Sequence, residues 1–267
     1  MRLATFFLIN QRQGFIWHLM RATTIPILAL SATIAASNGA MVIDWVTTNG
    51  DAGFTAGSAA TNSPITTDAD AETIVGSFPE VSLSEGETIT LTGSWSVVGN
   101  TGQIPGNQIR WGLFDAPGTP TTGSGSGYVG VWAAASGNIN SADGSTANPF
   151  SGSASATIAA GSGTLPSYGV TYDFLLAITR VDASQISVGG SLEDAASGSA
   201  LISWPETTGT PAGGSFTFDS VGILLGGTTD ATQATFSNVD ATVTAIPEPS
   251  ALLLGLVGTL SLLCRRR

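Results

Sequence analysis

Apolar and polar residues alternate along many stretches between residues 41 and 246, as they do in strands with one buried face. In the stretch 88–97, Ile89, Leu91, Trp95 and Val97 alternate with threonines and serines. A period of two residues places one set of side chains on a core and the other in water. The same pattern predicts strands at 41–46, 108–114, 128–134, 170–181, 185–192, 199–204, 215–225 and 233–245.

The connections between these stretches favour an antiparallel arrangement. Asp182, Ala183 and Ser184 separate two alternating stretches, which indicates a hairpin with a three-residue turn. No helical period and no fixed repeat occurs between 41 and 246, and 49–72 has the pattern of an irregular loop or ragged edge strands. We therefore predict an all-β fold, an antiparallel jelly-roll-like sandwich over 41–246.

The N-terminal segment has the pattern of a secretory signal peptide. Arg21 precedes an apolar run at 25–36, and small residues follow at 37–40. A positive start, a short apolar run and a small-residue exit are the parts of such a peptide, which we place at 1–40. Met20 would make a normal beginning, so the true start is expected there. The alternative is a buried N-terminal helix.

The C-terminal segment has three parts in order. Pro247, Glu248 and Pro249 precede an apolar run at 251–264, and the chain ends in Arg265, Arg266 and Arg267. The run is shorter than the roughly 20 residues of a full membrane span. The arginines nevertheless predict a transmembrane helix whose C-terminus lies in the cytoplasm. A core helix is the alternative.

This tail resembles the PEP-CTERM sorting signal of Gram-negative bacteria. The resemblance covers 247–267, with Pro247, Glu248 and Pro249 as the sorting motif and Arg265 to Arg267 as the basic stop. It implies export by the Sec machinery, transient anchoring in the inner membrane, and removal of the tail by an exosortase in an organism that makes exopolysaccharide. The three residues of the motif would then be recognised, not catalytic.

Charge is divided between the ends and the middle of the chain. The net charge is −11, there is no lysine, and six of the eight arginines lie outside 41–246. The stretch 41–246 therefore has a net charge of −16. Such a body repels nucleic acid and anionic membrane surfaces, so neither is expected as its partner.

Processing at both ends would also remove His18 and Cys264, the single histidine and the single cysteine. A chain without His, Cys and Lys excludes Ser-His and Cys-His nucleophiles, Schiff-base chemistry, thiol redox work and the usual zinc sites. Carboxylates remain, but the Glu-x-Asp-x-x-Glu string of sandwich glucanases is absent. We therefore expect a protein that is not an enzyme.

Two weaker candidate sites remain in the middle of the chain. Asp68, Asp70 and Glu72 alternate and could gather oxygens around Ca²⁺, although solvated turn acids are the simpler interpretation. Aromatic rings can stack on sugars. Trp95 and Trp111 share the parity of core residues, so Trp132 and Trp204 are the candidates for sugar binding.

The order of segments is also similar to the concanavalin-A-like (laminin-G-like) jelly roll, an architecture of lectins and glucanases. The likeness is carried by 109–114, 128–132, 170–192, 216–223 and 234–240. We expect an exported, non-enzymatic surface or matrix protein linked to exopolysaccharide. The alternative is a lectin-like carbohydrate-binding module, and a glycoside hydrolase is the third hypothesis.

Overall fold

The computed structural model describes residues 37–38, 44–47, 65–67, 73–99, 101–105, 109–116, 125–133, 136–143, 156–226 and 231–245. Contacts divide the chain into two compact units. One unit is Ala36–Ile246, and the other combines Met1–Ala35 with Pro247–Arg267 and lies outside the described residues. The folded unit thus begins a few residues before the boundary at 41 that the sequence predicts.

Fifteen strands make up the described part of the chain. In chain order they are β1 (Ser37–Asn38), β2 (Asp44–Thr47), β3 (Ile65–Thr67), β4 (Thr73–Ser82), β5 (Glu87–Gly99), β6 (Ile109–Asp115), β7 (Ser126–Ala133), β8 (Ser136–Asp143), β9 (Ala156–Ala160), β10 (Ser162–Gly163), β11 (Thr171–Arg180), β12 (Ile186–Asp194), β13 (Ala200–Gly209), β14 (Thr217–Leu225) and β15 (Ala231–Ala245). A single 3-10 turn, Ala212–Gly214, is the helical element among the described residues.

The strands form two sheets. The eight-stranded sheet has the order β1-β15-β5-β11-β12-β13-β10, with β3 also paired to β15, and the seven-stranded sheet has the order β2-β4-β14-β6-β7-β8-β9. Neighbours run antiparallel, for example β5 with β15 and β4 with β14. Early and late strands are thus neighbours in both sheets, as the wrapping of a jelly roll requires. The prediction of an all-β antiparallel sandwich is confirmed.

Aromatic side chains join the two sheets at the centre. Trp111 of β6 lies 5.2 Å from Phe174 of β11 and 6.0 Å from Trp204 of β13, measured between ring centroids. Trp95 of β5 lies 4.9 Å from Tyr172 of β11. Each such ring removes a large apolar area from water, and tilted and edge contacts are the favoured aromatic geometries.

The predicted hairpin is confirmed. β11 pairs with β12 from Tyr172 opposite Asp194 to Arg180 opposite Ile186. In the turn, the Asp182 carboxylate accepts bonds from the Ser184 amide at 2.7 Å and the Ser184 hydroxyl at 3.0 Å. These bonds favour the charged carboxylate and lower the pKa of Asp182.

Three strands have no counterpart in the sequence prediction, namely β4, β8 and β9. The β4 sequence contains Pro79, and the β8 sequence Ser-Gly-Asn-Ile-Asn-Ser-Ala-Asp is polar and rich in turn-forming residues. Such residues have low intrinsic strand propensity, so pairing with neighbours decides their conformation.

A second, smaller apolar group lies on the side of the seven-stranded sheet that faces away from the core. It consists of Val75, Phe114 and the partly buried Leu224, and we name it the outer cluster. Val75 and Phe114 are fully buried. The ring of Phe114 lies over Gly127, where a Cβ atom would come within 2.7 Å of it.

Candidate functional site

The outer face of the eight-stranded sheet carries hydroxyl groups in place of apolar ones. Along β5 the core-facing residues are buried, whereas the alternating threonines and serines are half-buried. Register extends the pattern to the neighbouring strands, since Thr88 lies opposite both Thr179 and Thr244. The members of this hydroxyl face on β5, β11, β12 and β15 are Thr88, Thr90, Thr92, Ser94, Ser96, Thr171, Thr179, Ser187, Ser191, Thr235, Ser237, Thr242 and Thr244.

A groove of about 290 Å³ opens on this face, and we name it the polar groove. Leu175 is half-buried among hydroxyl and carboxylate groups and supplies an apolar patch. The lining residues are Thr92, Gly93, Ser94, Asp173, Phe174, Leu175, Ser191, Glu193 and Asn238.

An irregularity in β15 shapes one wall of the groove. The register of β15 against β5 shifts between Ser237 and Asp240. Within the shift, Asn238 has a φ of 53° and is the one non-glycine residue with positive φ among those described. Asn tolerates this left-handed conformation better than most residues, and bulges of this kind re-aim side chains. The shift therefore adds an exposed amide to the groove.

Two carboxylates face each other across the groove. Asp173 of β11 is the register partner of Glu193 of β12. Directly opposed residues have Cβ atoms about 4.5–5.5 Å apart, and opposed like charges destabilise a sheet. The Ser94 hydroxyl donates to Asp173 Oδ1 at 2.6 Å, which stabilises the charged carboxylate.

The described arginines do not neutralise this pair. Arg180 donates to the Leu83 carbonyl at 2.7 Å and lies 4.1 Å from the centre of the Phe216 ring. Arg110 belongs to the seven-stranded sheet, where burial lowers its pKa. Among the residues that the structure describes, the hydroxyl face thus carries acids without a basic partner.

The groove is consequently built to accept hydrogen bonds. Carboxylates accept from O–H and N–H donors, hydroxyls do both, and the Asn238 amide does both. Bonds to charged acceptors contribute about 1.5–3 kcal/mol each. In the described ranges no group of three or more His, Cys, Asp or Glu side chains is arranged to hold a metal ion.

The structure places Trp204 differently from the sequence expectation. Its indole is only 2% exposed and contacts Trp111, so no sugar ring can stack on it. The strand does not end before Pro205 but continues to Gly209. Pro205 falls where the β12 register shifts between Val188 and Gly190, and a bulge is one place where a strand tolerates proline. Trp95 and Trp111 are core residues, as expected.

The remaining candidates lie beyond what can be described. Trp132 is in β7, but its side chain is outside the described residues. The calcium candidates Asp68, Asp70 and Glu72 are outside them as well, as are the sorting motif Pro247 to Pro249 and the basic stop Arg265 to Arg267. Within the described ranges, no helix has the length and apolarity needed to cross a bilayer.

Sequence reasoning missed Asp173, Glu193 and Asn238, although one signal for the first two was present. Counting outward from Ala183, the centre of the predicted turn, places Asp173 opposite Glu193. Asn238 had no such signal, because its position depends on pairing between β15 and β5.

No protein-family model matches this chain, and no curated protein matches it in sequence. Among solved structures, it is similar to the VIP36 exoplasmic/lumenal domain in its Ca²⁺/Man3GlcNAc-bound form, with 10% identity, 76% of this chain and 84% of that chain covered, and a TM-score of 0.46. It is similar to lectin UEA-II complexed with galactose, with 8% identity, coverage of 78% and 99%, and a TM-score of 0.47. The Emp46p carbohydrate recognition domain gives 11%, 74%, 87% and 0.46. These values are too low to assign a ligand to this chain.

Proposed function

We propose that this protein is a non-enzymatic carbohydrate-binding protein of the cell surface or extracellular matrix, and that the polar groove is its binding site. The observation that carries the proposal is the groove itself. Asp173, Glu193 and Asn238 surround it on an otherwise hydroxyl-rich sheet face, and Leu175 lies among them.

The chemistry of the groove suits a polyhydroxylated ligand. Sugar hydroxyls donate to the carboxylates and accept from the Asn238 amide, while the C–H side of a ring can lie on Leu175. None of the outward residues described on β5, β11, β12 and β15 is aromatic. Recognition therefore rests on hydrogen bonds and not on stacking, which differs from the role expected of Trp204.

Binding is tested with the purified full chain on an array of neutral, amino-bearing and acidic glycans. Asp173→Asn and Glu193→Gln each remove a charged acceptor, and each should weaken binding about tenfold or more, because bonds to charged groups are the strong ones. Glu80→Gln is the matched control, since Glu80 is exposed on β4 of the other sheet. Wild-type protein that binds no glycan on the array overturns the proposal.

The location proposed for the protein rests on its two ends. The signal-peptide pattern at 1–40 and the Pro247-Glu248-Pro249 tail support export by the Sec machinery, transient anchoring in the inner membrane and cleavage by an exosortase. Deleting 247–267 should abolish cleavage and change the location of the protein, as mass spectrometry and cell fractionation would show. Unchanged processing after the deletion would refute this part of the proposal.

Glycoside hydrolysis is the second candidate function, and the opposed pair Asp173 and Glu193 favours it. Two carboxylates about 5–9.5 Å apart are the minimum equipment of most glycosidases. The test is release of reducing ends from the glycans that bind the array. Hydrolysis lost in both Asp173→Asn and Glu193→Gln would replace the non-enzymatic proposal, while intact glycans after long incubation would support it.

A further inference from the structure

The polar groove does not end at a wall along the strands but continues into a strip of threonines. Thr88, Thr90, Thr179, Thr242 and Thr244 lie on the same sheet face, and we name them the threonine strip. Thr90 lies two residues along β5 from Thr92, which lines the groove. Groove and strip are therefore adjacent parts of one surface.

The strip is long compared with a single sugar. Six residues separate Thr88 from Ser94 along β5, which corresponds to about 20 Å at 3.2–3.4 Å per residue. Between these ends, the small Ala177 lies opposite Thr90 on β11. A chain of several sugars can therefore lie along β5 and β11 in contact with both regions.

The strip also retains free hydrogen-bonding capacity. Thr88 Oγ1 and Thr179 Oγ1 are 2.7 Å apart and bond to each other. Because each hydroxyl has one donor and two acceptor lone pairs, the pair still offers one donor and three acceptors to a ligand. The stiff β-branched side chains hold these groups in place at low entropic cost.

Charge selects the ligand that can use both regions. The strip has no charged residue, and the adjoining groove has two carboxylates without a described basic partner on this face. A polyanion is repelled by the groove, and a polycation attracted there finds no charge partner along the strip. An uncharged chain can bond to both regions.

We propose that the threonine strip extends the polar groove, so that the site binds several consecutive sugars of an uncharged polysaccharide lying along β5 and β11. This inference rests on the proposed function. It predicts that affinity rises with oligomer length and that the strip contributes only to long oligomers.

The probes are uncharged glucan, mannan and galactan oligomers of two and six sugars, measured by calorimetry with the full chain. The six-sugar form of the bound series should bind about tenfold more tightly than the two-sugar form. The double variant Thr88→Val/Thr179→Val should weaken six-sugar binding about fivefold, as expected for losing two or so neutral hydrogen bonds, and leave two-sugar binding unchanged. Valine keeps the shape and the strand preference of threonine.

Thr157→Val is the matched control, because Thr157 is exposed on β9 of the other sheet. If the double variant fails to fold, Thr242→Val alone should lower six-sugar affinity about twofold. Equal affinity for both lengths, or no loss in the strip variants while Asp173→Asn still weakens binding, overturns the extension and leaves groove binding standing. If none of the oligomers binds, both proposals fail; if only acidic or amino-bearing glycans bind on the array, the extension alone fails.

Discussion

The two sheets of the sandwich share one core but present different outer faces. On the eight-stranded sheet, outward positions carry threonine, serine and acids, and many remain half-buried or exposed. On the seven-stranded sheet, outward positions include Val75 and Phe114, which are fully buried, and Gly127, over which the Phe114 ring lies. One outer face is thus chemically available, and the other belongs to a second packed layer.

This difference teaches that alternation alone does not say what an outward face does. Both faces come from strands in one sandwich. The hydroxyl face can exchange water for a polar ligand at low cost, because its groups can hydrogen-bond to either. The outer cluster loses apolar burial if it opens. Four substitutions test the contrast, from the largest expected effect to the smallest.

Phe114→Ala should lower the free energy of unfolding by about 3–5 kcal/mol, the cost of removing a buried aromatic side chain and leaving a cavity. Denaturant unfolding followed by tryptophan fluorescence measures it. A loss below about 1 kcal/mol would show that this face is an ordinary surface and would abolish the contrast.

Gly127→Ala probes the same face from below the ring. An added Cβ atom would collide with the Leu113 carbonyl oxygen and come within 2.7 Å of the Phe114 ring. Overpacking of this kind costs about 1–3 kcal/mol. Thermal unfolding should show a lower Tm, and pairing the change with Phe114→Ala should recover part of the loss, because the ring is one of the two obstacles.

Tyr128→Phe contrasts an interior hydroxyl with those of the hydroxyl face. The Tyr128 hydroxyl is buried and accepts a bond from the Ala212 amide at 2.7 Å. Removing it leaves that amide without this partner and should cost about 1–3 kcal/mol near neutral pH.

The same residue predicts a dependence on alkaline pH. Burial raises the pKa of Tyr128 to about 12, above its ordinary value of 10. The stabilisation tied to the neutral phenol is therefore fully present below about pH 10 and is lost as the pH rises towards 12. Unfolding measured at pH 9 and pH 11.5 should show a smaller alkaline loss in Tyr128→Phe than in the wild type. An identical loss in both would contradict the buried position of the phenol.

Thr92→Val should change the free energy of unfolding by no more than about 0.5 kcal/mol, because Thr92 is half-buried on the hydroxyl face and valine suits a strand. Denaturant unfolding provides the value, and glycan binding should weaken because Thr92 lines the groove. A loss of several kcal/mol would indicate that this face is packed like the outer one of the other sheet.

Local pattern was sufficient for most strands and for the hairpin, because alternation and turn chemistry act over a few residues. It predicted the buried positions of Trp95 and Trp111 and, through the turn at Ala183, implied the pairing of Asp173 with Glu193. It failed at Trp204, because the proline after it signalled a strand end. The bulge in β12 that accommodates Pro205 lies on another strand, so the sequence around Trp204 could not report it.

By itself, the sequence determined an acidic, lysine-free chain with strands of known parity and no equipment for histidine or cysteine chemistry. These properties follow from composition and from periods of two residues. Only the tertiary structure decided that β5 and β15 become neighbours, that their register shifts at Asn238, and that the acids of the β11–β12 hairpin meet this amide. The physical reason is that such contacts join residues more than a hundred positions apart, where burial of the whole core, and not local preference, selects the partner.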